Sequence, residues 1–328
     1  MTFKDFLGSS VVKSHLQSNF QWWTDYIYHF SDIKNVASIL NLGILKSRNA
    51  VLNAPTLNYN DNASLEVIAG TNQDVHNYVR FYFRPLTPTQ YNNEGIKNLD
   101  DANSNSAHCP IPVFLLFDTS ILDDEHTLFT HESLASHYEV TIFNGLEDLV
   151  NAPLNHIYHT GPIPQNERET VKKRRHAEVI IRNSCNLTHL KKIVCRTNAE
   201  KEYLLSMLNQ NTKTNYENYV SVIEEERINE MFFCKNLMIK QVNFDNQQIK
   251  IYFNKTENIN RRVIVKLLNK NTFEPIVNWD TGIQSFNTYL DVNHCLKLTL
   301  PINRIMNFSE TGIAVYIDNR LCYWKNIT

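Results

Sequence analysis

The chain has 328 residues and a formal charge of −2, with 42% apolar residues, 20% charged residues, 15 Tyr and 17 Phe. At roughly 150 residues per domain this length suits two domains with full cores, and the composition argues against disorder. Near-neutrality means that any nucleic-acid surface has to be a local patch.

The opening MTFKDFLGSSVVKSHLQ lacks the continuous apolar stretch of a secretion signal, and no run approaches the ~18 apolar residues of a membrane span, so a cytoplasmic protein without membrane contact is expected. Six cysteines without a C-x-x-C pair read as reduced core thiols. With 8 glycines and neither GxxxxGK[ST] nor GxGxxG, phosphate cradles of the P-loop and Rossmann kinds are disfavoured.

In chain order, Tyr26-Ile-Tyr-His-Phe reads as a short strand. Ile33, Val36, Ala37 and Leu40 then recur at helical spacing, with Ser31 or Asp32 as N-cap and Gly43 as the stop. The Asn-rich stretch from Asn49 to about Asn77 reads as a long loop with a helical turn or two around Ala63 to Ile68, and such loops are usually functional. Asn77-Tyr-Val-Arg-Phe-Tyr-Phe is a strand that Arg84-Pro-Leu-Thr-Pro cannot extend. Ile111 to Asp118 predicts a strand buried on both faces, and Glu139 to Phe143, Ala177 to Ile181 and Lys192 to Cys195 are further strand candidates.

Between about Asn198 and Phe233 the pattern is helical, with Tyr203, Leu204, Met207 and Leu208 in one stripe. From Met238 onward seven short alternating runs follow, at residues 248–253, 261–268, 275–279, 287–292, 295–300, 312–317 and 321–324. They predict a small all-β sandwich behind an α+β domain, divided as residues 1–238 and 239–328.

The histidines offer no metal site: His126 and His131, or His156 and His159, lack a second pair at zinc-finger or HExxH spacing. More informative are three islands: Tyr28-His29 before a capped helix, Tyr78-Val-Arg-Phe-Tyr-Phe-Arg-Pro with Thr87-Pro-Thr-Gln-Tyr, and Arg174-Arg-His-Ala-Glu-Val-Ile-Ile. In this order they resemble the DarT family of DNA ADP-ribosyltransferases over roughly residues 20 to 235. The resemblance implies an ADP-ribosyltransferase-like α+β fold with mixed and antiparallel sheets. It also implies NAD⁺ as co-substrate with no metal, single-stranded DNA or RNA as acceptor, and a toxin silenced by an antitoxin, often in defence against phage. One departure is plain. Many such sequences carry an arginine in a helix before the Tyr-Phe strand, whereas Asn62-Ala-Ser-Leu-Glu-Val-Ile-Ala-Gly has none.

Cleaving the N-glycosidic bond of NAD⁺ passes through an oxocarbenium-like state, so the enzyme mainly holds, orients and stabilises charge. Glu178, flanked by apolar residues in a strand, is the candidate to do this and to take the acceptor's proton; burial would raise its pKa and a nearby arginine would lower it. The resemblance implies that His29 bonds the adenosine-side or nicotinamide-side ribose. His29 and Tyr82, a flat wall for the nicotinamide, join Glu178 as catalytic candidates, Tyr28 is a further cofactor-binding candidate, and Arg48 and Arg84 are candidates for pyrophosphate or acceptor contact. Arg80 and the run Lys172, Lys173, Arg174 and Arg175 are candidates for the acceptor backbone. Competing readings are an RNA- or protein-directed transferase, an NAD⁺ glycohydrolase, and a non-catalytic partner-binding protein on a degenerate scaffold.

Overall fold

The computed structural model describes residues 1–53, 73–96, 108–136, 138–234, 236–244, 248–254, 260–285, 296–301 and 310–327. The Asn62 to Gly70 stretch, the strand expected at 287–292 and Cys295 lie outside the described residues.

The first half is organised by strands β1 (Tyr26–Asp32), β2 (Ile44–Lys46), β3 (Tyr78–Tyr82), β4 (Pro112–Asp118), β5 (Thr127–Thr130), β6 (Glu178–Arg182), β7 (Ser184–Asn186), β8 (Leu190–Cys195) and β9 (Val220–Val222). Seven of them form one sheet in the order β5-β6-β3-β1-β4-β8-β9, antiparallel except at the β8–β9 edge. The β2–β7 pair stands apart as a small ribbon. As its composition predicts, β4 is central and buried along both faces.

The helix Ile33–Leu42 is capped at Asp32, whose carboxylate accepts the Lys34 N–H, and ends at Gly43 with φ +68°. The left-handed conformation there is why a glycine stops this helix. The expected strand at Glu139 to Phe143 is replaced by a single bridge, Phe129 to Phe143, because the segment pairs with the β5 edge at one residue only. The helical stretch after Asn198 is also shorter than its periodicity suggests. It comprises Asn198–Ser206 and Gln210–Tyr216, and then gives way to β9 and the turn helix Glu225–Glu230.

The C-terminal part contributes β10 (Ile239–Phe244), β11 (Gln248–Phe253), β12 (Asn260–Asn269), β13 (Pro275–Ser285), β14 (Leu296–Pro301), β15 (Thr311–Ile317) and β16 (Arg320–Asn326). They make two antiparallel sheets, β10-β11-β14 and β13-β12-β15-β16. Ile249, Ile251 and Phe253 of one sheet and Val263, Val265 and Leu267 of the other are buried in one apolar cluster, as period-two strands facing a common core require.

That cluster is continuous with the core of the first half. The helix Asn198–Ser206 packs against β10 and β16, Thr197 donates its hydroxyl to the Ile239 carbonyl at 2.7 Å, and Tyr323 donates to Glu202 at 2.6 Å. Arg261, inward-facing on β12 and 2% exposed, reaches Asp318 at 2.6 Å, the Ile96 carbonyl at 2.6 Å and Asn236 Oδ1 at 3.1 Å. Gly95 lets Asn236 approach: it has φ +93°, and a Cβ there would stand 2.6 Å from Asn236 Nδ2.

A buried ionic knot ties distant segments of the first half together. Glu94 accepts from Gln90 Nε2 at 2.8 Å and from the backbone N–H groups of Phe233 at 3.1 Å and Cys234 at 2.8 Å. Arg196 stands 3.9 Å from Glu94 and donates through Nε to Glu200 at 2.9 Å. Removing one member leaves charge and donors unmet in a dry interior. Glu94→Ala is therefore expected to cost about 3–5 kcal/mol in urea unfolding; a loss below about 1 kcal/mol would show that solvent reaches the knot.

Candidate active site

Register brings the candidate residues together more tightly than their sequence spacing suggests. Thr130 pairs with Glu178, Glu178 with Tyr82, Tyr82 with Tyr28, and Tyr28 with Leu116, so one row crosses five strands. Directly opposed residues project to the same face, and Arg80, two residues before Tyr82, shares it.

Glu178 is fully buried, flanked by Ala177 and Val179, which are equally inaccessible. Its carboxylate accepts from Arg80 Nε at 3.0 Å, from a second Arg80 nitrogen, and from the Leu134 backbone N–H at 3.1 Å. Burial works against the Arg80 charge, but Glu178 beside it more than offsets this and holds the guanidinium above its ordinary range. Expected to track acceptor phosphates, Arg80 instead has its fork committed to Glu178, with Ser133 Oγ 3.3 Å from its terminal nitrogen. Tyr82 is half-buried, its phenol pushed up by burial, and its hydroxyl bonds Thr89 in the helix Pro88–Asn93.

His29 follows Tyr28, so alternation turns it to the opposite face, where its ring meets Phe81 edge-on at 5.8 Å. β1 and β3 pair only at Tyr28 and Tyr82, and His29 Nδ1 lies 3.0 Å from the Arg80 carbonyl where the strands part. A carbonyl oxygen only accepts, so Nδ1 carries the proton and Nε2 is left as an acceptor. Burial pushes the imidazole down to about 4, which makes the ring neutral at pH 7. Tyr28 is fully buried and donates to the Trp23 carbonyl at 3.1 Å.

The two proposed phosphate-binding arginines lie at opposite ends of β3. Arg48 opens the short helix Arg48–Leu52, whose Asn49 bonds Asn77 just before the strand. Arg84, two residues past the strand, is 3% exposed, stacks 4.6 Å over Trp23, and donates to the carbonyls of Pro85 at 3.0 Å, Ile157 at 3.3 Å and His159.

The basic run before Glu178 divides by function. Lys173 pairs with Glu132 at 2.6 Å and lies 4.5 Å over the Tyr138 ring; Arg174 stands 3.6 Å from the same carboxylate. Lys172 and Arg175 instead line a cavity of about 570 Å³ together with Arg84, Arg168, Tyr91 and Phe233. Arg175 donates to His159 Nδ1 at 2.9 Å. None of the residues of the Glu178 row lines this cavity; the link between the two is the helix Pro88–Asn93, whose Thr89 bonds Tyr82 and whose Pro88 and Tyr91 line the cavity.

Sequence reasoning missed the Glu178–Arg80 pair, the Leu134 donor and the Gln90–Glu94 prop. The alternation Tyr78-Val-Arg80-Phe-Tyr82 already put Arg80 and Tyr82 on one face; only register could set Glu178 opposite them.

Since the folded His29 titrates near 4 and an unfolded histidine near 6.5, the unfolded chain binds more protons in that window. Stability is then lost as pH falls from about 6.5 to 4 and is fully present above it. The urea midpoint should drop between pH 7 and 4.5, and His29→Gln should make that drop smaller. An unchanged drop would mean that His29 is solvated and free to protonate.

Comparison with known proteins matches residues 28–233 to the family model described as ssDNA thymidine ADP-ribosyltransferase, DarT. No curated protein matches the chain. Among solved structures, the Thermus sp. 2.9 DarT in complex with ADP-ribosylated ssDNA is 16% identical, with a TM-score of 0.45 over 62% of this chain and 95% of that one. The same protein in complex with NAD⁺ gives 17% identity, a TM-score of 0.43, and 61% and 95% coverage. Thermosipho africanus DarTG in complex with ADP-ribose gives 14% identity and a TM-score of 0.46 over 67% of this chain and 53% of that chain. The family match begins at Tyr28, takes in the whole Glu178 row and ends at Phe233, over half of the chain: the protein belongs to the DarT family of single-stranded-DNA thymidine ADP-ribosyltransferases.

Proposed function

We propose that the protein transfers ADP-ribose from NAD⁺ to a thymine of single-stranded DNA, with Glu178 as the charged group at the reacting centre. The observation that carries this reading is a buried carboxylate held by Arg80 and Leu134 N–H in one row with Tyr82, inside the matched family region. The bond from ribose C1 to the nicotinamide nitrogen breaks, and its electron pair leaves with neutral nicotinamide. A bond from C1 to the base nitrogen forms as that nitrogen loses its proton. In a thymine joined to deoxyribose, N3 is the only nitrogen that carries a proton, so it is the nitrogen that can lose one to a Glu178 oxygen.

Glu178, fixed before substrate arrives, stabilises positive charge as it grows on the ribose without reorganising. Tyr82 supplies a flat wall for the nicotinamide, while His29, on the other face of the sheet, holds the Arg80 backbone behind the Glu178 pair. Arg48 is assigned to the donor's phosphates. An unpaired base reaches C1 without the cost of flipping out of a duplex.

The Thermosipho protein is named DarTG, and by analogy an antitoxin partner, a cytoplasmic toxin and a role in defence against phage are part of this proposal. RNA is the competing acceptor. Labelled NAD⁺ incubated with separate pools of single-stranded DNA, RNA and protein should mark the DNA. Glu178→Gln, which keeps shape but loses charge, should lower transfer ~10² or more. Wild-type rates in a folded Glu178→Gln protein would refute the role of Glu178, and label in RNA or protein alone would refute the acceptor.

The division at Met238 is likewise a proposal: residues 1–238 as the transferase unit and 239–328 as an accessory β-sandwich that covers the helix Asn198–Ser206. Limited proteolysis should cut between Phe233 and Gln248 and leave two resistant fragments. A 1–238 fragment should still label DNA while melting at a lower temperature, because its helix Asn198–Ser206 loses its cover. An inactive, aggregated fragment would make the sandwich part of the catalytic core.

A further inference from the structure

Four cations line the cavity that shares the helix Pro88–Asn93 with Tyr82: Arg84, Arg168, Lys172 and Arg175, and no Asp or Glu lines it among the described residues. Elsewhere in the protein the buried arginines have carboxylates, Arg196 with Glu200 and Arg261 with Asp318, as the part-exposed Arg80 has Glu178. Arg84 is as deeply buried as Arg196 and Arg261, yet among the described residues its guanidinium donates to backbone carbonyls and stacks on the Trp23 face, with no carboxylate. Its charge is held well below the ordinary range, first by burial and then by Arg175 beside it. Arg175 is itself pushed down by burial, and its Nε is buried without a hydrogen-bond partner. Two guanidinium groups that desolvate and repel each other are costly unless an anion from outside joins them. The fork of donors on each suits phosphate oxygens.

The other wall is aromatic. Tyr91, 54% exposed, meets Phe233 at 5.1 Å and 89°, and both line the same space. The volume of about 570 Å³ falls within the roughly 300–1,000 Å³ typical of small-molecule sites. Cations along one side and an open aromatic face along the other form the arrangement that holds single-stranded nucleic acid, where phosphate meets arginine and the base meets a ring.

We propose that this cavity seats the nucleotide next to the modified thymidine, its phosphate between Arg84 and Arg175 and its base on Tyr91 and Phe233. The assignment rests on the single-stranded-DNA reading above and adds a subsite to it. Lys172 and Arg168, at the exposed mouth, guide the strand inward. Sequence context is then read in part at this neighbour, through stacking. Lys173 and Arg174, paired with Glu132, take no part.

The test uses the full-length protein and short single-stranded oligonucleotides with one thymidine, together with versions lacking the base at each flanking position in turn. Tyr91→Ala should raise the oligonucleotide KM about ten-fold or more and leave the NAD⁺ KM much less changed, and Tyr91→Trp should restore it. Removing the base at one flanking position should raise the wild-type KM by a similar factor and have little further effect in Tyr91→Ala, since both changes delete the same contact. Arg175→Gln should reduce the slope of log affinity against log salt by about 0.7, as loss of one single-strand phosphate contact requires.

A rise in NAD⁺ KM instead would assign the cavity to the donor and overturn the proposal. So would oligonucleotide KM values that no variant moves while wild type labels DNA normally. If wild type labels no single-stranded DNA at all, the acceptor reading fails first and the subsite falls with it.

Discussion

An ionised carboxylate at an inaccessible position of a β-sheet loses several kcal/mol of hydration unless partners restore it. At Glu178 three donors do so: two nitrogens of Arg80 and the Leu134 N–H. That requirement shapes the surroundings. β3 must lie beside β6 in the register that sets Tyr82 against Glu178, so that Arg80, two residues back, can cross to it. The turn at Leu134 must come close enough to present its backbone. Tyr82 is oriented as a by-product, because the strand that carries Arg80 carries it too. A site held this way is charged and rigid before substrate arrives, which is what electrostatic catalysis needs.

A second buried ionic group acts on the walls. Glu94 holds the Gln90 side chain and the Phe233 and Cys234 backbone, so the helix bearing Tyr91 and the segment bearing Phe233 meet at one carboxylate. Arg261, from the C-terminal sheets, grips the carbonyl of Ile96 and the side chain of Asn236 on the two chain segments that Glu94 joins. The C-terminal sheets lie wholly beyond the matched family region, yet their Arg261 holds segments that continue from the cavity-lining Asn92 and Phe233.

The near-neutral formal charge hides a strong local asymmetry. Glu132 answers both Lys173 and Arg174, Glu200 answers Arg196 and Asp318 answers Arg261, while the cavity cations are left without carboxylates among the described residues. Net charge averages over these cases, so it carries little information about a site whose field is set within a few ångströms.

Much of the frame was legible in the residues themselves. The capped helix Ile33–Leu42, its glycine stop, the strands around Tyr28, Tyr82, Val113 and Glu178, and the alternating C-terminal runs all follow from periodicity, caps and turns, which act over a few residues. The order of the three islands also carried the family. What the tertiary structure decided was pairing. Short edge strands such as Thr127–Thr130 and Val220–Val222 carry no periodic signal, because their neighbours define them. Arg80, a candidate for the acceptor backbone by its sequence, is paired with Glu178 in the fold, and the run Lys172 to Arg175 divides between Glu132 and the cavity. A sequence states which side chains a segment offers, but which charge answers which depends on register and approach between segments far apart in the chain, and only the folded molecule sets those.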